Sequence, residues 1–361
     1  MTRVLVDLLF WSGRRGGTET YVREIYSRLG SEPELEVIGF ASKEFAAAPH
    51  DWFPGRVIDS GVPAANRARW AIGETLAVGR AARRAGADVL HVPANIGPSR
   101  SPVPVAVTLH DVLPFTHPEW VPTPAFGGLL RSMIRGAARN ASRVLTISEA
   151  SRRDIREVLG IDGARIDVIP LAGSAPLEVE LPPREPDLLF SPGTRMPHKN
   201  VETLLRALAL IPVGRRPRLV VTGGVDDDPL VALVSDLGLG DHVRIERWLS
   251  REDLERAYAR ATAVVLPTRF EGFGLPVLEA MERGCPVICS DLPVLREVAG
   301  DAAVYADPAD PDSFAAAITA SLSRPDELER LSAAGRARAG AFSWDRAAAA
   351  TIDSLRRASG A

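Results

Sequence analysis

Two glutamates, Glu271 and Glu279, bracket the stretch Glu271-Gly272-Phe273-Gly274-Leu275-Pro276-Val277-Leu278-Glu279. Gly272 and Gly274 let the backbone turn tightly and let a ligand come close. Pro276 suits the first turn of a helix. The free N–H groups and the positive end of that helix would then face one crevice, an arrangement that favours a phosphate or another anion. Glu271 would repel a phosphate there, so its natural partners are hydroxyls, as on a sugar. Glu279 lies about one turn inside the helix, where it can accept hydrogen bonds from a ribose diol.

Three further places carry polar groups suited to the same work. Pro192-Gly193-Thr194-Arg195-Met196-Pro197-His198-Lys199-Asn200 sets cations just ahead of a predicted helix, where the dipole disfavours them unless an anion binds between. Lys199 is a point charge for phosphate, and Arg195 could bind one bidentately. His110-Asp111 closes the apolar run Val105–Leu109, and His110 could meet a hydroxyl or simply cap the strand. Ser12-Gly13-Arg14-Arg15-Gly16-Gly17-Thr18 joins a first strand to a first helix. That is the position of a phosphate loop in doubly wound folds, although the pattern is not GxGxxG and Thr18 could equally cap a plain turn.

The elements that must hold these groups follow from apolar runs. Strands are predicted at Val4–Leu9, Glu36–Phe40, Val89–Val92, Val103–Leu109, Val144–Ile147, Leu188–Ser191, Leu219–Thr222, Val243–Ile245, Val264–Leu266 and Pro286–Cys289. Helical patterns alternate with them. Glu19–Leu29 carries Tyr21, Val22, Ile25 and Leu29 on one face, and the helix after Gly274 turns Val277, Leu278, Ala280 and Met281 inward before stopping at Gly284. The alternation predicts parallel sheets covered on both faces, with ligands beyond the carboxyl ends of the strands. Ala172–Asp187 is rich in proline and acids, lacks a period, and reads as a linker. Phe342-Ser343-Trp344-Asp345 signals a last helix capped by Ser343.

Composition excludes several classes. A chain of 361 residues, 46% hydrophobic and 25% charged, fits two soluble domains. A net charge of −3 gives no basis for nucleic-acid binding. Residues 1–172 carry 21 Lys and Arg against 18 Asp and Glu, a balance of +3, while the remainder carries −6. Within the first half, Arg131, Arg135 and Arg139 form an i, i+4, i+8 stripe, either a solvated face or a weak peripheral contact with anionic lipid. Cys285 and Cys289, beside a buried strand, read as packing residues in a reducing compartment. No histidine has a partner at metal-ligand spacing, and no segment is long and apolar enough to span a membrane. These readings together place the chain in the cytoplasm or on the inner face of its membrane.

The run from Glu271 to Met281, with Gly284-Cys285-Pro286-Val287, resembles the Glu-x7-Glu signature of the retaining glycosyltransferases of family 4. The resemblance implies the GT-B fold: two doubly wound, Rossmann-like α/β domains facing a cleft. It puts an acceptor-side domain at 1–172 joined by the helix 344–361, and a donor domain at 187–343. It further implies transfer of a sugar from a nucleotide-diphosphate sugar to a hydroxyl acceptor: a glycan, a lipid-linked acceptor or a small-molecule glycoside. No cofactor and no metal is expected. Glu271, His110 and Lys199 are then the catalytic candidates. Gly16, Gly17, Gly272, Phe273, Gly274, Leu275 and Glu279 would line the donor site, and Trp248 would lie against the base. Lys199 corresponds directly to the family's diphosphate cation; the second is Arg195 or His198, because His198 stands where one branch has arginine and Arg195 is displaced from the position next to Gly193. The Gly-Thr…Pro-x-Lys-Asn pattern leans towards a mannosyl-like donor, such as GDP-mannose, over a UDP- or dTDP-sugar. The competing readings are a nucleotide-sugar epimerase and a non-catalytic nucleotide-sugar binding protein.

Overall fold

A computed structural model describes residues 1–13, 16–32 and 34–360. Arg14 and Arg15, part of the first glycine loop, lie outside the described residues. The chain forms two compact units: Met1–Leu171 together with the chain from Ser343 onward, and Ala172–Phe342.

The first unit is built on seven parallel strands: β1 (Thr2–Leu8), β2 (Leu35–Ala41), β3 (Arg56–Asp59), β4 (Val89–Val92), β5 (Val105–Thr108), β6 (Arg143–Thr146) and β7 (Ile166–Val168). Their order is β3-β2-β1-β4-β5-β6-β7. The inner strands are near-continuous apolar runs because helices cover both faces of the sheet. Val4, Leu5, Val6, Leu90, Val92, Ala106 and Val107 are fully buried. The last helix, Trp344–Ser359, is part of this unit. Arg28 Nε donates to Asp345 Oδ1 at 2.7 Å, and Ser354 Oγ donates to Asp167 Oδ2 at 2.6 Å, fixing it at both ends.

The second unit carries six parallel strands: β8 (Leu188–Ser191), β9 (Arg218–Val221), β10 (Val243–Ile245), β11 (Ala263–Leu266), β12 (Val287–Ser290) and β13 (Ala303–Ala306), ordered β10-β9-β8-β11-β12-β13. The segment 172–187, expected as a linker, is counted with this unit and is tied down within it. Arg283 Nη2 donates to the Ser174 carbonyl at 3.2 Å, and Arg260 Nε bonds the Glu185 carboxylate at 2.5 Å.

In each sheet the strand order reverses at one point, between β1 and β4 and between β8 and β11. Crossovers leave in opposite directions there, so loops at the carboxyl ends splay apart and open a crevice. The loops that follow β1, β4, β8 and β11 therefore define where a ligand can sit in each unit.

Candidate active site

In the second unit, the loop after β8 carries Arg195, His198 and Lys199, and the loop after β11 carries Glu271 to Gly274. Both flank the reversal point. Asn200 holds the first loop. It adopts a left-handed conformation (φ 56°), which asparagine tolerates, and its Nδ2 donates to the carbonyls of Pro267 and Pro308 at 2.8 and 2.9 Å. The two loops are stitched together at His198, whose carbonyl accepts from Arg269 N at 2.7 Å and from Thr268 Oγ1 at 3.0 Å. Ser191, Gly193, Thr194, Arg195, Lys199 and Thr268 line the crevice between them.

Gly274 precedes the helix Leu275–Glu282 with φ of 106°, and a Cβ there would lie 2.6 Å from Leu295 Cδ2, so both conformation and space demand glycine. No side chain caps that helix start. The helix buries Val277, Leu278, Ala280 and Met281. It breaks before Gly284, at φ of 64°.

The cations find specific partners. Lys199 Nζ donates to Glu271 Oε1 at 2.7 Å. Arg195 Nε donates to Asp228 Oδ2 at 2.7 Å and its Nη1 to the Thr222 carbonyl at 2.8 Å, while its buried Nη2 has no hydrogen-bond partner. Burial alone would raise the Asp228 pKa, but the bonds from Arg195 and the Leu230 N–H hold it below the usual carboxylate range. Of the two candidates for second cation, Arg195 is thus the one held rigidly in the crevice lining. Sequence reasoning missed Asp228. Its signal was the acid directly before Pro229, a helix-start pair, at the carboxyl end of β9.

Glu279 sits inside its helix as expected, with Oε2 accepting from Tyr258 OH at 3.1 Å and Oε1 from Ser174 Oγ at 3.4 Å. Burial raises its pKa. Each oxygen keeps a second lone pair for a ligand. The Phe273 ring turns inward, edge-on to Phe342 at 5.8 Å, so only its backbone is available to a ligand. Leu275 and Gly272 remain partly exposed. Trp248, after β10, is 63% exposed. Burial pushes the Cys285 and Cys289 thiols up to about 12, as befits inert packing residues.

In the first unit, the glycine loop runs from β1 into the helix Gly17–Tyr26. Gly16 is the residue before that helix and Thr18 lies inside its first turn, so Thr18 is not the cap. No described protein atom lies within 4 Å of where a Cβ on Gly16 or Gly17 would be. Glu19, unforeseen, organises the loop: its Oε1 accepts from Ser12 N at 2.8 Å, Ser12 Oγ at 3.0 Å and Gly13 N at 3.0 Å.

His110 follows β5 and is half-buried. Its backbone N–H donates to Asn95 Oδ1 at 2.7 Å, and its Nε2 bonds the Pro93 carbonyl at 2.8 Å. A carbonyl only accepts, so Nε2 carries the proton and Nδ1 keeps its lone pair. Burial lowers the pKa to about 4, against a smaller upward push from the Pro93 bond. His110 is therefore a neutral acceptor at physiological pH. Tyr21 meets it edge-on at 5.1 Å and continues a buried polar chain: Tyr21 OH to Thr108 Oγ1 at 3.1 Å, Thr108 Oγ1 to His91 Nε2 at 2.9 Å, and His91 Nδ1 to Tyr26 OH at 2.5 Å.

Of the arginine stripe, Arg131 Nη1 donates to the Pro114 carbonyl at 3.1 Å and Arg135 lies over the Phe115 ring at 5.1 Å, so two of the three are engaged by their own unit. Among the described residues no helix is long and apolar enough to cross a membrane, and no group of three or more His, Cys, Asp or Glu is placed to hold a metal ion.

The chain was compared with known proteins. Residues 177–338 match the family described as glycosyl transferases group 1, and residues 15–172 match Glycosyltransferase Family 4. The chain is 35% identical over 268 residues to the O-antigen chain mannosyltransferase B of Escherichia coli, covering 69% of each. It is 34% identical over 229 residues to the MMP alpha-(1→4)-mannosyltransferase of Mycolicibacterium hassiacum, covering 61% of this chain and 55% of that protein. The fold is shared with sucrose-phosphate synthase from Thermosynechococcus elongatus, with a TM-score of 0.79, 21% identity, and 99% and 98% coverage. Anabaena HepE in complex with UDP-glucose gives a TM-score of 0.76 at 20% identity, covering 98% of this chain and 100% of that one. Two parallel α/β sheets with matching structural neighbours, and a sequence match spanning both halves, establish that this GT-B chain belongs to the family 4 glycosyltransferases.

Proposed function

We propose that the chain transfers a hexose, mannose by preference, from a nucleotide-diphosphate sugar to a hydroxyl of a growing glycan, with retention of anomeric configuration. The observation that carries this is the second-unit crevice at the reversal point of the sheet, lined by Lys199 and Arg195, with Glu271 bonded to Lys199 on the loop that leads into the uncapped helix start after Gly274. The mannosyl preference is supported by the two mannosyltransferases the chain is similar to.

In this reading Lys199 and Arg195 hold the diphosphate. Their charge counts for more as the bond from the anomeric carbon to the phosphate oxygen breaks and charge develops on the leaving group. Glu271 orients sugar hydroxyls, Glu279 takes the ribose, and the exposed Trp248 ring takes the base. In the first unit, His110 offers a neutral acceptor to a hydroxyl. A group with a pKa of about 4 is a weak base at neutral pH. The acceptor's proton therefore passes to the departing phosphate oxygen, which gains basicity as it leaves.

The test is a binding screen with GDP, UDP and dTDP, then turnover of the matching α-linked donor followed by NMR of the first product. An α linkage is expected. A β linkage, or binding of none of the three nucleotides and none of their sugar donors, ends this reading.

A further inference from the structure

Two side chains proposed as separate donor contacts hold each other. Lys199 Nζ and Glu271 Oε1 are 2.7 Å apart, with 20% and 12% of each side chain exposed. The contact is built in: the Thr268 and Arg269 bonds to the His198 carbonyl fix the two loops to each other, and Asn200 fixes both to the frame. Arg195 is matched in the same way by Asp228. Each cation in the crevice lining thus already faces a carboxylate.

Resting on the donor reading above, we infer that Glu271 holds the place of the diphosphate on Lys199, so that the crevice accepts an intact nucleotide sugar and discriminates against the bare nucleoside diphosphate. A bare diphosphate must draw Lys199 away, which leaves a half-buried carboxylate without its partner beside an incoming anion. An intact donor brings hydroxyl groups that donate to the Glu271 carboxylate while Lys199 turns to the phosphate. The three N–H groups of the ammonium allow this exchange without a stage in which Lys199 is unbonded. Asp228 cannot exchange in the same way, because it is almost fully buried and also caps the helix Pro229–Asp236 through Leu230 N at 3.0 Å. The exchange therefore falls on Lys199. Once the sugar has left, Glu271 reclaims Lys199 and helps expel the product.

The experiment is isothermal titration of the full chain with GDP, UDP and dTDP, and then with GDP-mannose, UDP-glucose or dTDP-glucose to match. Wild type is compared with Glu271→Gln and with Lys199→Ala/Glu271→Gln; Glu271→Ser replaces the Gln variant if that one does not fold. Glu271→Gln should bind the bare nucleoside diphosphate about tenfold tighter, the size expected when one close charge pair is relieved. It should bind the intact donor no tighter, and the double variant should lose the gain. Unchanged or weaker diphosphate binding by Glu271→Gln overturns the inference. So does a gain that survives in the double variant, since the effect would then be general repulsion not routed through Lys199. If wild type binds neither nucleotide nor donor, the donor reading itself falls.

Discussion

Asp228→Ala is the sharpest probe of how the crevice is held. The Asp228 side chain is 2% exposed and makes two bonds, one from Arg195 Nε at 2.7 Å and one from Leu230 N at 3.0 Å. Removing it leaves the Arg195 guanidinium, itself 14% exposed, buried without its counter-charge. Breaking a buried pair from one side costs about 3–5 kcal/mol. The lost cap, worth about 1 kcal/mol alone, overlaps with this and is not added in full. For a unit the size of Ala172–Phe342, that loss lowers its melting temperature by roughly 6–20 °C. Asp228→Asn keeps an acceptor oxygen and should lose less. The carboxylate's folded pKa is depressed, so its contribution is fully present above the unfolded value near 3.8 and is lost as pH falls through the folded one. The gap between wild type and Asp228→Asn should therefore be constant above about pH 5 and close below about pH 4. Scanning calorimetry is the assay. Melting of Asp228→Ala within about 2 °C of wild type would show that the pair holds nothing.

Lys199→Ala should lower turnover by about a hundred- to thousand-fold, the usual loss when one preorganised electrostatic partner is removed. Its melting temperature should fall by less than that of Asp228→Ala, because the Glu271 carboxylate it leaves unpaired is 12% exposed against 2% for Asp228; near-normal turnover would sink the diphosphate assignment. His110 should titrate near 4 by NMR. Because that folded value lies below the unfolded one near 6.5, its contribution to stability is present above pH 6.5 and is lost as pH falls towards 4. His110→Gln should remove at most one proton's worth of that slope, and a titration near 6.5 would refute the lowering by burial.

The inner strands were legible because burial on both faces leaves a near-continuous apolar run, and the runs at Val89–Val92 and Leu188–Ser191 match the observed strands at both ends; Val243–Ile245 also matches, although β10 is an edge strand with Arg244 facing out. The strands that went unread are β3, β7 and β13, each at the edge of its sheet and only partly covered, with sequences such as Arg56-Val57-Ile58-Asp59. An edge strand has one paired side and one wet side, so it needs no apolar run. The central loop was legible for another reason: glycines, a proline at a helix start and acids fall within nine residues of sequence. Pairings across the fold were not. Lys199 and Glu271 are 72 residues apart and Arg195 and Asp228 are 33 apart, and one sequence holds no signal that joins them. The same is true of Glu19, which was read as the start of a helix and serves as the acceptor that shapes the loop before it.

The last helix has a consequence for how the protein is made. Trp344–Ser359 belongs to the unit whose other elements end at Leu171, and it buries Trp344, Ala347, Ala348, Thr351, Ile352 and Leu355 there. On the ribosome, the first 171 residues emerge long before that helix does. At about 5–20 residues per second the wait is roughly 10–35 s. For that time Tyr21, whose hydroxyl bonds Thr351 as well as Thr108, lacks its covering helix, while residues 172–342 emerge as a complete unit. The second half of the chain is thus free to finish folding before the first. Nascent chains stalled anywhere between Leu171 and Trp344 carry an open apolar face, and they are the species most prone to aggregate or to bind a chaperone.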